Sequence, residues 1–109
     1  METLLLLSND KPDDIAAQGF SGNWALKPSR AINCDYAIIC DMPEGNGVMV
    51  GRVRGVMRTD DPARYEVHFS ETTRIEIPNV WNRMSRNPVG YAPSSQLPVD
   101  FNNLTYRPV

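Results

Sequence analysis

The sequence has one histidine, His68, two cysteines, Cys34 and Cys40, and two lysines, Lys11 and Lys27. So small a stock of soft ligands excludes a closed Cys/His zinc site of the usual four-ligand kind. It leaves a single imidazole as the base for Ser70, Ser94, Ser95 or either thiol, and His68 reads first as an exposed strand residue. No Gly-x-Ser-x-Gly, Walker or dinucleotide glycine fingerprint occurs, and Gly45-Asn46-Gly47 lacks the helix start that phosphate binding needs. The carboxylate pairs Asp13-Asp14 and Asp60-Asp61 each adjoin a proline in turn-like sequence, where capping or solvation explains them. These absences favour binding over catalysis, and no cofactor is implied. Long apolar runs are missing too. The leucines at 4–7 follow Glu2 and stop at Asn9, Asp10 and Lys11, too short a run to target or to span a membrane. The expected compartment is therefore a reducing cytoplasm with both thiols free.

What remains is an ordinary globular composition: 109 residues, 41% hydrophobic and 22% charged. One domain covering residues 1–109 is expected, large enough to bury roughly two-thirds of its unfolded surface without a metal or disulfide. The net charge of −2 gives no overall positive field toward nucleic acid or membrane. Its distribution is uneven. Residues 1–46 hold three basic groups and seven acids, whereas residues 47–109 hold eight arginines and six acids. Nine of the eleven basic residues are arginine, which offers a planar bidentate fork and a face that stacks on rings.

Along the chain, residues 3–8 read as a buried strand and residues 12–18 as a short helix, with Pro12 in its first turn and Gly19 ending it. Pro28 opens a second short helical turn over 28–33, and residues 36–40 form a nearly continuous apolar strand. Residues 44–47 have hairpin-turn chemistry. Between Val48 and Ile77 the odd positions Met49, Val53, Met57, Tyr65, Val67, Phe69, Ile75 and Ile77 are apolar, a period-two signal for half-buried sheet. Turning at 59–63 pairs Met57 with Tyr65 and sets Val53 opposite Phe69. Gly51 and Gly55, on the apolar parity, predict strand bending or a side chain laid over bare backbone. A helical turn and then a short strand are expected over 79–93, and the Pro-, Asn- and Ser-rich residues 94–109 form an extended wrapping tail. The fold class is mixed α+β, mainly β: a small curved sheet or barrel of five to six strands with one or two short helices.

Two tryptophans, Trp24 and Trp81, stand among small polar residues, a setting that suits an aromatic wall for a flat base as well as a core position. Arg30 or Arg86 beside such a wall would engage a phosphate or a base edge. The run Trp24-x-Leu26-x-x-x-Arg30-Ala31-x-x-x-x-Tyr36-Ala37-Ile38, followed by Gly47-Val48-Met49-Val50-Gly51-Arg52-Val53 and Arg64-Tyr65-Glu66-Val67-His68-Phe69, resembles the PUA-like superfamily of EVE, ASCH and YTH domains. The likeness spans about residues 22–91, and Arg86-Asn87-Pro88-Val89-x-Tyr91 fits the way such modules close. It implies a small mixed barrel whose cleft receives a modified or flipped base in RNA or DNA. Trp24, Arg30, Tyr36 and Trp81 are then the cleft candidates, with Arg86 beside them. The negative charge points to a weak reader that works with a nuclease or another protein partner. Two alternatives stand beside this one. One is an ASCH-like hydrolase of RNA or nucleosides using Lys27, Glu66 and His68. The other is a protein-interaction module docking through a sheet edge and the proline-rich tail.

Overall fold

A computed structural model describes residues 1–82 and 86–109 of the chain. Among the described residues seven strands form one curled, half-barrel sheet: β1 (Glu2–Ser8), β2 (Phe20–Trp24), β3 (Tyr36–Asp41), β4 (Gly47–Arg58), β5 (Tyr65–Ile77), β6 (Val89–Pro93) and the two-residue β7 (Arg107–Pro108). The order is β2-β5-β4-β3-β1-β6, with β7 added to β5 beyond the end of β2. β1 and β3 are parallel, and all other pairings are antiparallel. The mainly β architecture with two short helices agrees with the expectation from composition and strand pattern.

The central position of β1 and β3 follows from their continuous apolar sequence, which requires cover on both faces. Leu4, Leu6, Ala37 and Ile39 enter one core cluster and Leu5, Ile38 and Cys40 the other, as alternation along a strand dictates. The first cluster lies under α1 (Pro12–Gln18) and α2 (Pro28–Ala31), which contribute Ile15 and Ala31. Pro12 occupies the first turn of α1, and Gly19 closes it in the left-handed region at φ 83°, where its N–H bonds the Ile15 carbonyl. The second cluster is covered by Val80, Trp81 and the tail residues Leu97, Val99, Phe101, Leu104 and Tyr106. The tail packs on the second face through two single 3-10 turns, Ser94–Gln96 and Phe101–Asn103, before pairing as β7. The helical turn expected after Pro78 falls partly on residues 83–85, outside the described residues, while Asn79 and Asn82 take positive φ in a turn.

The β4–β5 hairpin corrects the simple period-two reading. Val53 faces Phe69 as expected, but the ladder shifts at Arg52/Val53 and again at Val53/Gly55. Each bulge reverses the inside–outside parity beyond it. Toward the tip, Val56 pairs with Val67 and packs on the first cluster, while Met57 pairs with Glu66 instead of Tyr65 and is 52% exposed. In the other direction, Val67 and Phe69 belong to the helix-side cluster and Ile75 and Ile77 to the tail-side cluster, although all four are odd-numbered. Gly51 is the bare backbone over which Phe69 is laid: a Cβ there would fall 2.4 Å from the ring's Cδ1. Gly55 has no such neighbour and stands in open space beside the bulge. Among the described residues no helix is long and apolar enough to cross a membrane.

Candidate functional site

The sequence candidates do not share one cleft. Trp24, at the end of β2, is 6% exposed in the first cluster, and its Nε1 donates to the buried Ser21 Oγ at 3.0 Å. Trp81 is equally buried in the second cluster, and its backbone N–H donates to the Gly45 carbonyl at 2.9 Å. Ser21 thus serves as the polar partner of the Trp24 ring, and Asn79 and Asn82 take positive φ in the turn that carries Trp81. Tyr36, at the start of β3, stacks on Phe101 with centroids 4.6 Å apart and lies 6.0 Å from the Tyr106 ring. Arg52 approaches both tyrosine rings at 5.2 and 5.3 Å and donates to Glu71 at 2.9 Å, while the Tyr106 hydroxyl donates to the Phe101 carbonyl. Burial pushes the Tyr106 hydroxyl's pKa up, so it remains the proton donor that holds this turn. Tyr36 therefore anchors the tail on the face opposite Trp24.

Arg30 is placed differently. α2 carries it to the mouth of a hollow of about 330 Å³ also lined by Leu26, Lys27, Asn87, Val89 and Tyr91. Its Nε and Nη2 donate to the two carboxylate oxygens of Glu2 at 2.9 and 2.7 Å, and its guanidinium carbon lies 4.0 Å from the centre of the Tyr91 ring. The bidentate fork raises the Arg30 pKa and holds the Glu2 carboxyl below the usual carboxylate range. Two of the five guanidinium N–H groups are used by Glu2, so three remain. The Tyr91 hydroxyl is buried without a hydrogen-bond partner among the described residues, and its pKa is raised chiefly by that burial. Arg86 is exposed and directly precedes Asn87, whose Nδ2 donates to the Ala25 carbonyl at 3.0 Å and ties β6's approach to the segment after β2.

Sequence reasoning found Arg30 and Arg86 but assigned no role to Glu2, Asn87 or Tyr91. The Arg86–Tyr91 motif carried the signal for the last two. Nothing local marks Glu2, because its partner lies 28 residues away and the parallel β1/β3 pairing brings the two together.

Among the described residues, those named for hydrolysis do not form one cluster. The His68 Nε2 lies 3.0 Å from Glu66 Oε1, and its ring stacks on Phe20 at 5.0 Å. Glu66 lines a separate open hollow with Asn23, Arg58 and the hairpin-turn residues, whereas Lys27 lines the Arg30 hollow. Both cysteines are buried, on opposite faces of the sheet, which prevents a disulfide between them. Burial raises their pKa values to about 11 for Cys34 and about 12 for Cys40, so neither is a thiolate at neutral pH. No family profile, curated protein or solved structure matches the chain, and its own geometry carries the functional reading.

Proposed function

We propose that the chain is a non-catalytic nucleic-acid-binding module of PUA-like type, and that the Arg30 hollow receives a single unpaired or extruded base of RNA or DNA. The observation that carries this reading is the state of the Arg30 guanidinium. It is held flat by Glu2 on its edge and by Tyr91 on one face, yet its side chain is still 49% exposed. A guanidinium fixed in this way is a pre-oriented stacking plate for a base and loses little entropy on binding. The hollow falls at the lower end of the volumes that ligand pockets span. Of its polar lining, Lys27 suits a phosphate. Because the fork points at Glu2, Arg30 acts through its face, and phosphate contact falls to Lys27 and Arg86.

With these two phosphate contacts, the affinity for a single strand should fall with salt at a log–log slope of about −1.4. A separate nuclease or other protein partner would then supply the remaining affinity. The curled mixed sheet with two short helices accords with the resemblance to EVE, ASCH and YTH domains.

The test is fluorescence anisotropy at low salt with single- and double-stranded oligonucleotides bearing plain and methylated bases. Base-dependent binding is expected, weakened about 5- to 150-fold by Arg30→Ala, the range that corresponds to loss of one stacking contact. Equal signals across the panel, or equal binding by wild type and variant, would overturn the reading and move the assignment to a protein-docking module.

A further inference from the structure

A third hollow, of about 650 Å³, shares no lining residue with the Arg30 cleft. It lies between α1, the adjoining strands β4 and β5, and the C-terminal segment. Its origin is local. α1 buries Ile15 against the sheet and presents Asp13 and the short side chains of Ala16 and Ala17 to this region, so the helix stands over space that its own side chains do not fill.

The polar lining is all donors except for one carboxylate. Thr72, Thr73 and Arg74 come from β5, Thr105 and Arg107 from the C-terminal segment, and Asp13 from α1. The β5/β7 pairing sets Thr72 opposite Arg107, and the Val109 N–H donates to the Ser70 carbonyl at 3.0 Å, so the second arginine is brought in by backbone pairing. Asp13 accepts from the Arg74 Nη1 at 2.9 Å and fixes that guanidinium with one of its five N–H groups. The lining therefore carries two arginines and the threonines Thr72 and Thr105 against one carboxylate; Thr72 and Arg74 share the α1-side face of β5, and Thr73, of the parity of Ile75 and Ile77, borders the hollow through its backbone. Its other walls, from Met49 and Pro108 as well as the two alanines, are apolar.

We infer that this hollow binds a small phosphomonoester, with the phosphate between Arg74 and Arg107 and the carbon body against Met49 and Pro108. A phosphate monoester suits the set because it carries up to two negative charges and three terminal oxygens that accept hydrogen bonds. Guanidinium forks and threonine hydroxyls are the groups that satisfy such oxygens. Ligand and tail are thermodynamically linked: the ligand bridges β5 and β7, so its binding stabilises the docked C-terminal strand.

The experiment is isothermal titration of the full chain with ribose 5-phosphate, and with ribose as the uncharged control. The expected result is binding of ribose 5-phosphate, no binding of ribose, and an affinity at least about tenfold weaker in both Arg107→Ala and Arg74→Ala, as loss of a charged hydrogen-bond partner implies. Both arginines are exposed, so the variants should fold, and Arg107→Lys provides a second test in which charge is kept and the fork removed. Absence of wild-type binding, equal binding of ribose, or unchanged affinity in the two alanine variants would overturn the inference. None of these outcomes bears on the Arg30 cleft.

Discussion

Replacing Gly51 by alanine tests the packing logic of the hairpin most sharply. The added Cβ would lie 2.4, 2.7 and 2.8 Å from Cδ1, Cε1 and Cγ of Phe69, far inside contact distance. Phe69 is only 2% exposed in the helix-side cluster, so its ring has no route to solvent, and ring or strand must shift. Overpacking of this kind costs about 1–3 kcal/mol. With an unfolding entropy of about 0.23 kcal/mol/K for a chain of this length, the melting temperature should drop by about 4–13 °C. Gly55→Ala is the matched control. Nothing lies within 4 Å of a Cβ at that position, so the substitution should be neutral or stabilise by up to about 1 kcal/mol through the unfolded chain. Phe69→Leu combined with Gly51→Ala should recover part of the loss, giving a non-additive cycle. Thermal melts followed by circular dichroism provide the measurement. Equal melting temperatures for the Gly51→Ala and Gly55→Ala proteins would refute the claim that the Phe69 ring is seated on Gly51.

Other expectations follow from the same geometry. Trp24→Ala and Trp81→Ala should each cost about 3–5 kcal/mol in denaturant unfolding, and an unchanged midpoint in either would return that ring to the surface. Trp24→Phe should also destabilise, because it leaves the Ser21 hydroxyl without its donor. Neither Cys34 nor Cys40 should react with an aromatic disulfide reagent at pH 8 in the native state, and both should do so in denaturant; rapid native labelling would contradict their burial. NMR titration should find the Glu2 carboxyl below the usual carboxylate range. Its folded pKa is depressed, so its ion pair with Arg30 is complete above that range and is lost as pH falls through the lowered value. Arg30→Gln should return Glu2 toward ordinary titration. No change in Glu2 would mean that the fork is not populated in solution.

Much of the fold was legible because several signals are local. Pro12 and Gly19 bracket α1, and the continuous apolar runs of β1 and β3 announce strands covered on both faces. The parity of β4 and β5 was not legible beyond the bulges, since a single extra residue reverses every side chain after it while the apolar pattern remains periodic. Ile75 and Ile77 continue the stripe of Val67 and Phe69 in sequence yet serve the opposite cluster.

The tryptophans were harder to place for a different reason. Small polar neighbours read as the rim of a cleft, but Ser21 and the Gly45 carbonyl satisfy, respectively, the indole N–H of Trp24 and the backbone N–H of Trp81 inside the fold. Arg30 could be singled out from the chain, whereas its partners could not. Glu2 and Tyr91 meet it only because β1 lies between β3 and β6, with Leu4 opposite Tyr91. The threonine–arginine hollow beneath the C-terminal segment was equally hidden, since the β5/β7 pairing joins Thr72 to a residue 35 positions away.

Entry of a base into the Arg30 hollow can be followed residue by residue by heteronuclear NMR during titration with single-stranded oligonucleotides. Base-dependent shifts concentrated at Leu26, Arg30, Val89 and Tyr91 are expected. No shifts, or shifts gathered instead around Thr72, Arg74 and Arg107, would contradict it.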